Sequence, residues 1–210
     1  MVEPVTDLDP ARIRSNLEEI RKHAGAEVEI LAATKYVRTD DMGALAEAGI
    51  DLVGENRLQD LEEKQERWRD SFTWDFIGNL QSRKVKRILP LVRLIHSVAS
   101  DSAVEQLGKH AAPDTEVLVE VNLSGEEGKG GIDPSALDAF IERCPVRVSG
   151  LMTMPPFTED PEASRPYFAR LAELAGEREL PRLSMGTTQD WRVAVEEGAT
   201  IIRLGSVLWT

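Results

Sequence analysis

The chain has 210 residues, a hydrophobic fraction of 41%, a charged fraction of 30% and a formal net charge of -12 at pH 7. Such values suit a folded soluble chain the size of one large domain, and the acidic balance argues against broad binding to nucleic acid or anionic membrane, which reward basic faces. No apolar run approaches the roughly 20 residues of a membrane span, and the start M-V-E-P-V-T-D-L-D lacks a signal peptide's basic and apolar regions, so the expected location is the cytoplasm.

Asp9-Pro10 reads as an N-cap followed by proline at the first helical position, and Ile13, Leu17, Ile20 and Ala24 recur at helical spacing behind it. A first strand is expected over 28–35, ending I-L-A-A-T-K. Thr39 or Asp40 then caps a short helix with Met42, Leu45 and Ala48, stopped by Gly49. Residues 50–53 lead into Gly54-Glu55-Asn56, and Leu58, Leu61, Gln65 and Trp68 mark the next helical face. The alternation continues with strands over 72–80, 91–98, 116–123, 146–154, 182–185 and 200–208. Helices lie between them, including one behind a Ser102/Glu105 capping box and others opened by Asp133-Pro134 and Asp160-Pro161. Eight strands alternating with helices imply parallel pairing and right-handed crossovers. The expected fold is a single α/β domain over 1–210, a (β/α)8 TIM barrel with an extra N-terminal helix. A doubly wound open sheet is the alternative, weakened because no Gly-x-Gly-x-x-Gly follows the first strand. Cys144, the single cysteine, stands before Pro145 with no histidine near it in sequence and reads as a packing residue.

In such a barrel the site is built at the C-terminal strand ends. Those positions are Lys35, Asn56, Gly78 with Asn79 and Gln81, Ser97, Asn122, Thr153 with Met154, Ser184 with Gly186, and Arg203 with Gly205 and Ser206. Carboxylates are scarce among them, Glu55 being the main candidate, and His23, His96 and His110 have no ligand spacing with Cys144 or one another. Neither a two-carboxylate hydrolase nor a metal centre is supported. Lys35 at a strand end either carries its ammonium into solvent on a buried stem or serves as an imine-forming amine. Ser184-Met185-Gly186-Thr187-Thr188 and Gly205-Ser206 offer hydroxyls and close backbone approach suited to phosphate, although Ser184 and Thr188 could simply cap the following helix. An amine at the first strand facing a phosphate cradle at the last two suggests a phosphorylated aldehyde. Pyridoxal 5′-phosphate fits that description.

A set of motifs carries a family resemblance. They are A-A-T-K at 32–35, G-E-N-R-L-Q-D at 54–60, F-I-G-N-L-Q-S-R-K at 76–84, V-N-L-S-G-E-E-G-K-G-G at 121–131, G-L-M-T-M at 150–154, S-M-G-T-T-Q-D at 184–190 and I-R-L-G-S at 202–206. In this order they resemble the pyridoxal phosphate homeostasis proteins, single-domain barrels similar to the N-terminal domain of alanine racemase. The resemblance implies that Lys35 forms an internal aldimine with pyridoxal 5′-phosphate and that Asn56 lies beside the cofactor. It also implies that Ser184, Gly186, Gly205 and Ser206 hold the phosphate and that Arg203 faces the pyridine nitrogen. Lys129 matches a second family lysine and otherwise reads as a solvated loop residue. The chain has Ser82-Arg83-Lys84 where the family favours S-N-K, and Gly186-Thr187-Thr188 where it favours G-M-S. It stops at Thr210, where family members usually continue into a closing segment.

The expected role is a carrier that holds the cofactor and delivers it to apo-enzymes; a weakly active amino-acid racemase is the alternative. An arginine can only donate hydrogen bonds, so facing the ring nitrogen it weakens the electron sink that racemisation needs. Racemases add a tyrosine base from a partner subunit. Here only Tyr36 and Tyr167 exist, and Tyr36 would point away from Lys35 if the strand continued.

Overall fold

The computed structural model describes Val5, residues 7–126 and residues 128–210. Most of the N-terminal stretch read against a signal peptide, and Glu127 of the glycine-rich motif, lie outside the described residues. Eight strands close on themselves in sequence order: β1 (Glu29–Ala33), β2 (Leu52–Glu55), β3 (Thr73–Phe76), β4 (Leu94–Val98), β5 (Glu116–Glu120), β6 (Arg147–Met152), β7 (Arg182–Thr187) and β8 (Ile201–Leu204). Every neighbouring pair is parallel, and β8 returns to β1 with Ile30 opposite Ile202 and Leu31 opposite Arg203. The expected (β/α)8 barrel is the observed fold.

Strand alternation divides the core in two. Leu31, Leu52, Leu94, Leu118, Met152 and Ile201 form one buried cluster inside the barrel. The intervening residues, among them Ile30, Ala32, Val53, Ile95, Val117 and Ile202, join a larger cluster shared with the helices. Those helices are α1 (Pro10–Ala24), α2 (Met42–Glu47), α3 (Leu58–Trp68), α4 (Val85–Ile88), α5 (Asp101–His110), α6 (Leu137–Arg143), α7 (Arg165–Gly176) and α8 (Trp191–Glu196).

The N-terminal helix is part of the ring. Asp9 Oδ1 accepts from the Ala11 amide at 2.9 Å, and Ile13, Leu17, Ile20 and Ala24 are all buried, as their spacing predicts. α1 packs beside α2, α8 and the turn after β8. Arg14 Nη2 donates to the Glu47 carbonyl at 2.5 Å, and Asn16 Nδ2 donates to the carbonyls of Leu208 and Thr210 at 3.1 and 3.3 Å. It therefore fills the position that a helix following β8 would take.

Most strands are shorter than their apolar runs suggest. β1 stops at Ala33, β3 at Phe76 and β5 at Glu120, so 34–35, 77–80 and 121–123 belong to the rim. β7 is longer, reaching Thr187. The cap of α5 is Ser100, whose hydroxyl accepts from the Ala103 amide at 3.2 Å, two residues before the expected Ser102. Cys144 is half-buried and its thiol is pushed up to about 11 by burial, against the pull of Arg143, which suits an unreactive packing residue. Among the described residues no helix is long and apolar enough to cross a membrane.

The Asn16 amide bridges the first helix to the last turn through two carbonyls. Asn16→Ala should lower stability by about 1–2 kcal/mol, read as an earlier urea midpoint with an unchanged m-value.

Candidate functional site

A cavity of about 670 Å³ opens at the C-terminal ends of the strands. Its polar lining comes from separate parts of the chain: Lys35 after β1, Asn56 after β2, Ser97 on β4, Glu120 at the end of β5, Arg203 on β8, and Thr188, Gly205 and Ser206 in the last two loops. Ala33, Ile77, Met152 and Met154 supply apolar wall. Gly78 must be glycine here, because a Cβ would lie 2.0 Å from the carbonyl oxygen of Asn56. That contact presses the β3 loop onto Asn56. Asn56 lines the cavity; its side-chain oxygen is buried and has no hydrogen-bond partner among the described residues.

The end of β1 is anchored from behind. Thr34 is fully buried; its hydroxyl donates to Glu55 Oε1 at 2.5 Å and its carbonyl accepts from Lys64 Nζ at 2.7 Å. Lys64 on α3 also contacts Glu55 Oε1 at 2.5 Å, an ion pair whose side chains are 5% and 0% exposed. Glu55, the carboxylate expected in the site, thus points into the wall toward α3 and away from the cavity. The residue it fixes is the immediate neighbour of Lys35. Beyond Thr34 the chain leaves the strand, so the alternation that would have turned Tyr36 away no longer applies. Tyr36 lines the cavity, and Lys35 Nζ sits 4.8 Å from its ring centroid.

Across the mouth, Arg203 is 5% exposed. Its Nη1 donates to Ser184 Oγ at 2.6 Å, and its Nη2 donates to the Thr153 carbonyl at 3.0 Å and contacts Met154 Sδ at 2.9 Å. Burial pulls the guanidinium down to about 10, while Asp190 and Glu120 act the other way. Glu120 is pushed up by burial against the pull of Arg203. Below Arg203 a polar chain continues down the barrel. Ser184 Oγ lies 2.8 Å from His96 Nδ1, His96 Nε2 lies 3.1 Å from Asp75 Oδ2, and Arg93 donates to both Asp75 oxygens at 3.0 and 2.7 Å. Arg93 ends the chain at the opposite face on Glu29, 2.5 Å away. Burial holds His96 below its ordinary value despite Asp75; burial alone would raise Asp75, but His96 and Arg93 keep it below the usual carboxylate range.

The seventh and eighth loops are tied together. Asp190 Oδ1 accepts from the Thr187 amide at 2.7 Å and from its hydroxyl at 3.1 Å, while Oδ2 accepts from Ser164 at 2.8 Å. The Gly205 amide donates to Thr188 Oγ1 at 3.1 Å. Gly186 has φ +87°, and a Cβ there would lie 2.5 Å from that of Ala194 and 3.0 Å from Trp191 Cα. This glycine lets α8 close down on β7 beneath the loop.

The profile described as "Alanine racemase, N-terminal domain" matches residues 8–210. The pyridoxal phosphate homeostasis protein of Aquifex aeolicus is 39% identical over 95% of this chain and 95% of its own length. Its counterpart in Pseudomonas aeruginosa is 32% identical over 95% and 92%. The chain belongs to the pyridoxal phosphate homeostasis protein family. Among solved structures, PipY of Synechococcus elongatus with PLP bound aligns at TM-score 0.83 and 30% identity, covering 94% of this chain and 100% of that one. Alanine racemase from Corynebacterium glutamicum aligns at TM-score 0.76 and 16% identity, over 96% of this chain and 60% of that one, a likeness of fold alone.

Of the residues read from the family motifs, Lys35, Asn56, Arg203, Gly205 and Ser206 line one cavity. Ser184 and Gly186 do not. The Ser184 hydroxyl is fully buried between Arg203 and His96, and Gly186 lies under the loop against α8. Lys129 pairs with Glu126 at 2.8 Å in the loop after β5, next to Gly130, which lines the cavity. Glu120 is not among the strand ends expected from sequence, because β5 ends three residues before its apolar run does. Nor is Asp75 among them as an inward-facing residue; counting by two from Ile77 would have found it. Among the described residues no group of three or more His, Cys, Asp and Glu side chains could hold a metal ion.

Lys64→Met should cost about 3–5 kcal/mol in urea unfolding, because it strands the Glu55 carboxylate in the wall, and Lys64→Met with Glu55→Leu should recover most of that loss. His96 is neutral in the fold but protonates in the unfolded chain below its ordinary value of 6.5, so the unfolded state binds more protons there. Stability should fall as pH drops below 6.5 and be unaffected by this group above it, with a slope of at most about 1.4 kcal/mol per pH unit. Asp75, Arg93 and Arg203 surround the ring. His96→Gln should flatten the slope on the acid side of pH 6.5.

Proposed function

We propose that this protein holds pyridoxal 5′-phosphate covalently and reversibly on Lys35 and passes it to apo-enzymes that require it. The observation that carries this reading is the convergence of a primary amine, a buried guanidinium and the hydroxyl- and amide-bearing loops at Thr188, Gly205 and Ser206 on one cavity. When bound, the cofactor supplies an aldehyde that condenses with an amine and a ring that can accept electron density. The cavity fits it: the volume suits a small ligand, and Lys35, Arg203, Thr188 and Ser206 give its lining an amine, a guanidinium and two hydroxyls for an anionic aldehyde. In this reading Lys35 contributes the amine, Asn56 lies beside the ring, and Arg203 faces the ring nitrogen. Ser206 and the Gly205 backbone take the phosphate with Thr188. Gly186 shapes that loop from beneath, and Ser184 acts through Arg203. PipY, solved with PLP bound, supports the same ligand here.

The carrier reading is favoured over catalysis by Arg203. A guanidinium donates and never accepts, so it stabilises the unprotonated ring and leaves little pull on a developing carbanion. The curated relatives are likewise named for homeostasis and not for turnover. Transfer to apo-enzymes is supported by a mouth rimmed by the accessible side chains of Tyr36 and Met154, which leave Lys35 approachable. The racemase reading draws on one observation, that Tyr36 lines the cavity mouth beside Lys35.

Borohydride reduction of the protein mixed with pyridoxal phosphate, followed by peptide mapping, should label Lys35; a label elsewhere, or none, overturns the binding claim. α-Deuterium exchange of L-alanine should remain near background in wild type and Lys35→Ala alike. Sustained exchange that requires both Lys35 and Tyr36 would establish the racemase instead.

A further inference from the structure

Holding a ligand does not account for the polar chain along the barrel axis, because only its upper end reaches the cavity. Asp75, His96 and Ser184 are each fully buried, so every proton in the chain must have a fixed place. Arg93 forks onto both oxygens of Asp75, which keeps that carboxylate ionised and acceptor-only. A neutral imidazole has one donor nitrogen and one acceptor. With Asp75 3.1 Å from Nε2, the ring proton belongs on Nε2 and Nδ1 is bare. The bare Nδ1, 2.8 Å from Ser184 Oγ, accepts the serine O–H as a hydrogen bond, and the serine lone pairs are left facing Arg203 Nη1 at 2.6 Å. The donors run in one direction from Arg203 through Ser184 and His96 to Asp75.

The same three side-chain types make a nucleophilic triad in hydrolases. Here the serine oxygen is sealed inside the barrel and its open side is occupied by a guanidinium, so no substrate carbonyl can approach it. We propose that Asp75 and His96 are positioning residues for Arg203: they lock the Ser184 hydroxyl as an acceptor and thereby fix the guanidinium at the cavity floor. The inference rests on the reading above only for what Arg203 touches. The arrangement of the protons is a property of the ligand-free chain.

Histidine-selective ¹⁵N labelling and long-range ¹H–¹⁵N correlation of the ligand-free protein should find His96 neutral with its proton on Nε2. In Asp75→Asn the amide group opposes a donor of Arg93 or of His96 whichever way it turns, so the hold on the Nε2 proton should weaken. With pyridoxal phosphate bound, Asp75→Asn and Ser184→Ala should each speed cofactor release about tenfold, the worth of one hydrogen bond to a charged group, with no further gain in the double variant. A wild-type ring protonated on Nδ1 or on both nitrogens overturns the proposal, as does a wild-type release rate in either variant. If Asp75→Asn does not fold, Ser184→Ala alone decides, since it leaves Asp75, Arg93 and the Nε2 proton in place and removes only the link to Arg203. Failure of wild type to take label on Lys35 would sink the cofactor reading, whereas the ligand-free tautomer would still decide this one.

Discussion

The register between the first and last strands is the constraint on which the site depends. β1 meets β8 with Leu31 opposite Arg203 and Ala32 opposite Leu204. That alignment closes the barrel and sets the chain segment bearing Lys35 beside the strand bearing Arg203. Side chains alternate with period two, so a slip of one residue on β8 would turn Arg203 into the helix layer and bring a leucine to the cavity floor. The apolar residues inside the barrel oppose such a slip, because it would expel Ile201 from its layer with Leu31, Leu52, Leu94, Leu118 and Met152.

Two buried polar assemblies flank the cavity and divide the work. One lies in the wall, where Lys64 and Glu55 clamp Thr34 and hold the end of β1. The other lies on the axis beneath Arg203. Burying charge costs several kcal/mol per ion before partners are counted, so neither assembly is an economical way to fill a core. Each instead specifies one arrangement of a residue that reaches the cavity. The wall clamp acts on the backbone next to Lys35; the axial chain acts on the side chain of Arg203.

Much of this was legible in the sequence, and the reasons differ by residue. The eight β-α units were visible because strands and helices leave different apolar periods, and the caps at Asp9, Asp133 and Asp160 stand where local chemistry predicts. Lys35 and Asn56 were legible as polar endings of apolar runs, and Arg203 as a single charge set within one. Ser184 was legible as a position, but its neighbours depend on β4 and β3, which no local pattern connects to β7. Glu55 was read as a site carboxylate for the same reason, and Lys64 carried no local signal at all. A glutamate at a strand end looks like part of the site, and a lysine on a helix looks solvated, until the crossover brings them together. Tyr36 turns into the cavity because the strand ends at Ala33, so the condition under which it would point away is not met.

The bridge from α1 to the last turn and the pairing of β1 with β8 also bear on how the protein acquires its cavity. Both join the two ends of the sequence, and contacts of such long range form only after their full loop-closure entropy has been met. A chain emerging from the ribosome can form successive β-α units but has no floor to its cavity until β8 docks. Ligand capture is thereby coupled to completion of the barrel, and a ligand that binds only the closed form pulls the final docking step forward by mass action.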